Sequence, residues 1–278
     1  MHNILIVVPC YNERKRLDTD AFVHFVRDHP DVGFLFVNDG STDGTADLLH
    51  AVCRAAPMSL RSITLRQHVG KAEAVRRGFL DVLALPDVRY VGFWDADLAA
   101  PLEAISTFLR VYDEHPGLIL VMGARVQMLG RCITRNASRH YLGRIFATAA
   151  SAMLSLPVYD TQCGAKLFRA EALTRSVFQE PFATHWIFDV EILARMIRYE
   201  RMASGRGIEE LVYELPLTQW HDVNGSKRSA SDYLLAARDL LVIRHKYMRG
   251  LPSPTRGGAG KESLTRGLVA NASSMSAR

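Results

Sequence analysis

Cysteine is scarce in this chain of 278 residues: Cys10, Cys53, Cys132 and Cys163 stand far apart, with no CxxC pair and no histidine at zinc-finger spacing. No disulfide framework is expected at this size, and the pattern fits a reducing compartment. A secretory leader is not expected either, because strand-like sequence begins after three residues. Long apolar runs are absent. The most apolar stretch, IFATAASAMLSLPV from Ile145 to Val158, has 14 residues and contains threonine and serine, whereas a membrane-spanning helix needs about 20. A positively charged body is lacking too. Of the net +5, the tail from Arg249 onward holds five Lys/Arg against one Glu, a +4 that leaves +1 for residues 1–248. A nucleic-acid-binding surface spread over the body is therefore not expected.

What is present is an ordinary globular composition, 48% apolar and 23% charged, enough for one large core. NILIVVPCYNE reads as a doubly buried strand, and a helical pattern with Phe22, Phe25 and Val26 follows it. VGFLFVNDGSTDGT repeats the theme, then TADLLHAVCRAA opens a helix. SLRSITLR, VGKAEAVRRGFLDVLA and VRYVGFWDADLA continue the alternation. Strands alternating with helices predict an open α/β sheet, mostly parallel, with right-handed crossovers. LILVMGAR reads as a further strand, RCITRNASRHYLGRIFATAASAML as one long helix with a basic first half, LVYELPLTQWHDVN as a late strand, and SASDYLLAARDLLVIRHKYM as a closing helix. Residues 251–278 lack periodicity and are expected to be a disordered basic tail, leaving 1–250 as a single domain.

In such sheets the residues just past the strands line the ligand crevice. Here they are Tyr11, Asn12 and Glu13, then Asp39, Gly40 and Ser41, then Asp95, Ala96 and Asp97. Carboxylates thus end three successive strands. Asp95 and Asp97 lie at i and i+2 and point the same way, which suits Mg²⁺ or Mn²⁺ shared with phosphate oxygens. An isolated acidic pair of this kind more often marks a turn; its place after a strand, beside Asp39, raises the metal reading. DTQCGAKLF, Asp160 to Phe168, crowds a carboxylate, an amide, a thiol and an ammonium together. A nucleophilic Cys163 would want a histidine, and the closest in sequence is His185, 22 residues away. Small buried cysteine is the common case, so Gln162, Gly164 and Lys166 are the more useful groups.

VVPCYNE, VNDGSTDGT, VGKAEAVRRG and DADLAAP, in this order, resemble the inverting glycosyltransferases of family 2, which have the nucleotide-sugar-binding GT-A fold. DTQCGAKLF, WIFDVEIL and WHDVNGSK, followed by a helix ending in IRHKYMRG, are similar to the dolichyl-phosphate β-glucosyltransferase subgroup, over about Asn3 to Gly250. The resemblance implies glucose transfer from UDP-glucose to a polyprenyl phosphate by a domain spanning 1–250. It implies that Pro9, Tyr11, Glu13 and Asp39 shape the uridine pocket, with Lys71 in a nucleotide-side loop. Asp95 and Asp97 would meet the ribose and a Mg²⁺ or Mn²⁺ on the diphosphate, with Lys227 as a second cation there.

On the acceptor side, Arg125 ends a strand, and Arg131, Arg135 and Arg139 recur at four-residue steps, which puts them on one helical face. Planar guanidinium forks suit phosphate. Tyr141, Leu142, Ile145 and Phe146 follow, so charge leads into grease, as in a segment lying at a membrane surface. The Asp160–Lys166 loop, together with Glu191, is read as floor of the acceptor and sugar site. Asp189 and Glu191, in FDVE, stand where relatives with hydroxyl acceptors keep a general base; i and i+2 on a helix do not share a face, and Asp189 is preferred. The expected enzyme is peripheral at the cytoplasmic face of a membrane. Two departures from the resemblance are Leu98-Ala99-Ala100 after the acidic pair, where relatives often keep a polar side chain, and His68, where many have Asn. The readings left open are a family-2 enzyme with a hydroxyl acceptor, building polysaccharide or glycolipid, and a nucleotide-binding module without turnover.

Overall fold

A computed structural model describes residues 2–134, 137–221 and 230–252. Strand β1 (Ile4–Cys10) leads to helix α1 (Thr19–Asp28), and β2 (Val32–Asn38) to α2 (Thr45–Ala55). The alternation continues through β3 (Leu60–Thr64), α3 (Lys71–Leu83), β4 (Tyr90–Trp94), α4 (Ala104–Glu114) and β5 (Leu120–Ala124). The second half holds β6 (Cys132–Thr134), α5 (Ala137–Leu154), β7 (Ala165–Arg169), α6 (Ala172–Gln179), α7 (Phe188–Ala203), β8 (Val212–Pro216) and β9 (Gln219–His221). Helix α8 (Ala230–Ile243) ends in a π-helical turn, Arg244–Met248. No described helix is long and apolar enough to cross a membrane. All but the first two residues of the expected tail, 251–278, lie outside the described residues.

Seven strands form one sheet in the order β3-β2-β1-β4-β7-β5-β8. Every neighbouring pair is parallel except those of β7, which runs antiparallel to both β4 and β5. The reversal matters for chemistry: the loop entering β7, which carries Asp160 to Gly164, meets the same sheet edge as the C-terminal ends of the other strands. The sheet is buried on both faces because its strands alternate two apolar sets. Leu5, Val7, Leu35, Val37 and Phe93 pack with α3, α6 and α7, in a cluster holding Phe79, Phe168, Phe178 and Phe188. Ile4, Ile6, Val8, Phe34, Phe36 and Trp94 pack on the other face with Phe22 and Phe25 of α1 and Phe108 of α4.

One expected element divides differently. The stretch predicted as a single helix from Arg131 begins with β6, which pairs in parallel with β9 through Cys132–Gln219, Ile133–Trp220 and Thr134–His221. Helix α5 starts only at Ala137. The four-residue spacing of Arg131, Arg135 and Arg139 is therefore not one helical face. Arg131 precedes the strand and donates to the Pro216 carbonyl at 3.1 Å. The late strand is likewise two, β8 in the main sheet and β9 against β6.

Candidate active site

The β1–α1 and β2–α2 loops are sewn together before any ligand arrives. Asn12, at φ 54°, donates its amide to Ser41 Oγ and accepts from Thr42 N, while Glu13 N donates to Thr45 Oγ1. Asp39, almost completely buried, accepts from the Val69 and Gly70 amides, both at 2.8 Å, and from His68 Nδ1 at 2.8 Å. Its carboxylate thus fixes the loop that leads into α3, with one lone-pair direction remaining of about four. Gly40 permits this: it sits at φ +65°, and a Cβ there would lie 2.6 Å from the backbone of Gln67 and His68. His68 stacks on Tyr11 with ring centroids 3.8 Å apart. Both rings are partly exposed, a flat aromatic surface beside a buried acceptor.

Acid crowding defines the centre. Burial, reinforced by the neighbouring Asp95, raises the Asp97 carboxyl above the usual carboxylate range. Glu13 is raised too, by burial and by Asp97 and Asp95, against the opposing Arg16 guanidinium, which grips it through Nε–Oε2 at 2.9 Å and Nη2–Oε1 at 2.5 Å. Lys71 lies 2.5 Å from Asp95 Oδ1. Burial alone would lower its pKa, but Asp95 and Asp189 outweigh burial and hold the ammonium above the ordinary lysine value. Among the described residues no group of three or more His, Cys, Asp or Glu gathers as a ready-made metal cage. Two convergent carboxylates with room for phosphate oxygens and water are nonetheless the donor set that Mg²⁺ or Mn²⁺ takes from a protein, and a divalent cation relieves the repulsion that raises Asp97. The residues present fit such an ion.

The backbone around the pair is shaped for it. Asp97 Oδ1 accepts from Ala99 N at 3.2 Å, and Leu98 sits at φ 50°, a left-handed conformation uncommon for leucine. Ala99 in turn receives the His221 amide through its carbonyl, at 3.1 Å, so β9 abuts the acidic loop. Gly164 accepts from Asp95 N at 3.0 Å, and a Cβ at Gly164 would fall 2.0 Å from Asp95 Oδ2. A Gly164→Ala protein is therefore expected to fold but to lose about 10²-fold in turnover, because displacing a positioned group by about 1 Å has that scale of effect. Steady-state kinetics beside a circular dichroism spectrum check this.

The Asp160–Lys166 loop is built from the inside. Asp160 receives Arg125 through Nε at 2.6 Å, Nη2 at 2.8 Å and the backbone amide at 3.1 Å. Arg125, also 4.9 Å over the Trp220 ring, thus spends its fork on a carboxylate where a phosphate had been expected. Glu214 of β8 accepts the Tyr159 and Asp160 amides, and burial raises its carboxyl. Cys163 is fully buried and its thiol is pushed up to about 12, chiefly by burial, which is no environment for a thiolate nucleophile. Lys166 is not a ligand-facing cation. It is completely buried, and its three N–H groups go to Thr161 O (2.9 Å), Cys163 O (2.7 Å) and Asp189 Oδ1 (2.5 Å).

Of the two acids in FDVE, Asp189 belongs to this centre, through Lys166 and its influence on Lys71. Glu191 does not line an acceptor site as expected; it is enclosed by Thr184, Arg195 and Tyr247. Gln162 and Gly164 lie within the Asp160–Lys166 loop, Gln162 donating its backbone amide to Asp160 Oδ1 at 3.2 Å, and Pro9 lies within β1. Lys227, Arg135 and the side chain of Arg139 lie outside the described residues. Sequence reasoning missed Glu214, Trp220, His221 and Arg144, the last stacked 3.7 Å from the Tyr159 ring centroid and donating to the Tyr159 carbonyl at 2.9 Å. Trp220 and His221 stand in the WHDVN stretch already singled out; Glu214 and Arg144 carry no local signal.

Comparison with known proteins adds three findings. The profile of Glycosyl transferase family 2 matches residues 5–176. A dolichyl-phosphate beta-glucosyltransferase of Saccharomyces cerevisiae is 32% identical over 267 residues, covering 88% of this chain and 75% of the relative, and the enzyme of that name from Homo sapiens is 29% identical over 260 residues, covering 88% and 76%. Among solved structures, glucosyl-3-phosphoglycerate synthase from Mycobacterium tuberculosis, in complex with Mn²⁺, UDP-glucose and phosphoglyceric acid, superposes with a TM-score of 0.62 at 18% identity, covering 91% of this chain and 81% of that one. A mannosyltransferase from Pyrobaculum calidifontis with GDP-mannose and Mn²⁺ gives 0.58 at 15% identity, over 91% and 66%. The fold is the GT-A fold anticipated from the strand-end motifs.

Proposed function

The chain belongs to glycosyl transferase family 2, and on that premise we propose that it moves glucose from UDP-glucose to a polyprenyl phosphate, inverting the anomeric carbon. The observation that carries the choice of acceptor is the closure of Asp189 on the buried Lys166 ammonium. The carboxylate in the position of a general base has one oxygen closed on a buried lysine of the protein itself. An acceptor hydroxyl needs its proton taken; a phosphate monoester, with its second ionisation near ~6, arrives as a nucleophile. The likeness to dolichyl-phosphate β-glucosyltransferases over 88% of the chain supports the same choice.

In this reading the Tyr11–His68 surface, Pro9 and the remaining lone pair of Asp39 receive the uridine, and Glu13 supports the acidic edge. Asp95 and Asp97 would hold Mg²⁺ or Mn²⁺, with Lys71 beside them and Lys227 as a second cation for the leaving group. The ion supplies Lewis-acid neutralisation of the departing UDP. The Asp160–Gly164 loop floors the sugar site, and Asp189 supports the positive charge developing at the anomeric carbon. Arg135 and Arg139, near the start of α5, are the candidates for the acceptor phosphate, with Arg125 held rigid by Asp160 at the end of β5. Exposed Leu142 and Ile145 on α5 give the prenyl tail an apolar path and the protein a peripheral membrane contact at the cytoplasmic face. Residues 1–250 form the catalytic domain.

The test is transfer of radiolabelled sugar into butanol-extractable lipid by purified protein with polyprenyl phosphate and Mn²⁺ or Mg²⁺. Label from UDP-glucose, and not from UDP-galactose or GDP-mannose, is the expected result. Transfer to a hydroxyl acceptor with indifference to polyprenyl phosphate would instead establish the polysaccharide or glycolipid reading, and UDP binding without turnover a non-catalytic module.

A further inference from the structure

Glu191, in the first turn of α7, is completely buried, and its carboxylate is the hub of a network of the protein's own groups. Oε1 accepts from Ala183 N at 2.9 Å, from Arg195 Nε and Nη2 at 3.1 and 2.7 Å, and from the Tyr247 hydroxyl at 2.8 Å. Oε2 accepts from the amide and the hydroxyl of Thr184, both at 2.9 Å. Arg195 carries the network on to the carbonyls of Val177, Glu180 and Pro181, at 2.8, 2.7 and 2.7 Å. Its guanidinium lies 4.5 Å from the Phe182 ring centroid and 5.4 Å from that of Tyr247. The segment Pro181–Thr184, the start of α7 and the C-terminal turn are thereby tied to one carboxylate.

The same turn of α7 carries Asp189, two residues earlier and on another face, where Lys166 holds it. The turn is gripped from the sheet through Asp189 and from the C-terminus through Glu191. Tyr247 belongs to the π-helical turn that closes α8, and π turns are rare and frequently found at functional sites. Widening the helix to i→i+5 bonding rotates the residues that follow, and Tyr247 is the buried residue of that turn.

We propose that Tyr247 is a positioning residue for the transfer reaction, acting through Glu191 to fix the turn that aims Asp189 into the active site. This rests on the assignment of Asp189 to the sugar–acceptor centre. The π-helical turn that ends α8 is then part of the catalytic apparatus, acting through α7.

The experiment compares the full-length wild type with Tyr247→Phe, Asp189→Asn, the double variant, and Phe25→Leu as a stability control. Phe25 is buried against Phe34 on the opposite face of the sheet, so Phe25→Leu loosens the fold without touching the network. Tyr247→Phe is expected to lower kcat about 10-fold with KM for UDP-glucose changed less than about twofold. Phe25→Leu, destabilised at least as much, keeps its kcat well below the unfolding midpoint. In the Asp189→Asn background, Tyr247→Phe adds no further loss, because both act through one group. Multiplying losses, or a kcat loss matched by Phe25→Leu at equal destabilisation, overturns the proposal. Hydrogen exchange over residues 181–192 is followed in parallel. Acceleration in Tyr247→Phe confined to that segment is expected, and unchanged exchange there refutes the positioning role of Tyr247. That readout does not depend on substrate, so a wild type that transfers no glucose would refute the proposed function while the exchange data still decide the role of Tyr247.

Discussion

Replacing Asp97 with asparagine is expected to lower sugar transfer by about 10³-fold or more and, at the same time, to raise the unfolding temperature of the ligand-free protein. The two effects have one cause. Asp97 is held near Asp95 and Glu13 in a partly buried edge where charge is costly, which is why its carboxyl and that of Glu13 are raised. Asparagine keeps the shape and accepts the Ala99 amide as well, but removes one unit of repulsion. What it cannot do is offer a hard anionic oxygen to a divalent cation. Strain stored at a site and offset elsewhere is the expected mark of function. Differential scanning fluorimetry with and without UDP and Mn²⁺ checks both halves: the ligands raise the wild-type midpoint, and leave Asp97→Asn where it is.

The sign of the pH dependence follows from the same residues. A carboxyl whose folded pKa is raised contributes stability that is fully present below its unfolded value, near ~3.9 for aspartate, and that is lost as pH rises through the folded value. Asp97 therefore costs the folded chain nothing in acid, where it is protonated, and opposes folding as it ionises toward neutrality. Glu73, lowered by Arg76 and Arg77, acts in the opposite sense, so the wild-type profile alone is not diagnostic. The difference between Asp97→Asn and wild type isolates the group: close to zero in acid, and growing in favour of the variant as pH rises toward neutrality. A constant difference across that range would place the origin of the stability change outside this ionisation.

These acids were legible in the sequence because their placement needs only local rules. Apolar runs of strand length, each followed by a carboxylate and a helix, put Glu13, Asp39, Asp95 and Asp97 on one edge once the strands are parallel. The rule that i and i+2 diverge on a helix also separated Asp189 from Glu191, without saying which of them meets the centre. What was not legible depends on partners far along the chain. Nothing within AKLFR states that β7 runs antiparallel; its direction is set by pairing with β4 and β5. Cys132–Thr134 continues a helical-looking basic pattern, and becomes strand through Gln219–His221. Charge type was readable at Arg125 and Lys166, but not commitment: both looked like cations for a ligand, and both are closed on carboxylates of the protein. A sequence shows which groups can bind an anion and not which have already done so.

Lys166 carries the largest expected effect on stability. Its side chain is completely enclosed, 5.2 Å from the Phe93 ring centroid, and all three donors are used. Lys166→Met keeps the apolar stem and deletes the ammonium, leaving Asp189 without its cation and the Thr161 and Cys163 carbonyls without a donor. Breaking one partner of a buried pair costs about 3–5 kcal/mol, far more than the pair itself is worth against apolar residues of similar shape. The single variant should therefore lose about that much in a urea titration, a large part of the about 5–15 kcal/mol available to a domain. Lys166→Met with Asp189→Leu should recover a substantial share, because no charge is then stranded, while the two unpaired carbonyls keep it below wild type. That ordering separates a stranded-charge penalty from simple loss of packing: if the double variant is no more stable than the single, the cost lies in the carbonyls and the loop they belong to. In either case the Asp160–Gly164 loop and the turn that carries Asp189 move together, because one ammonium holds both.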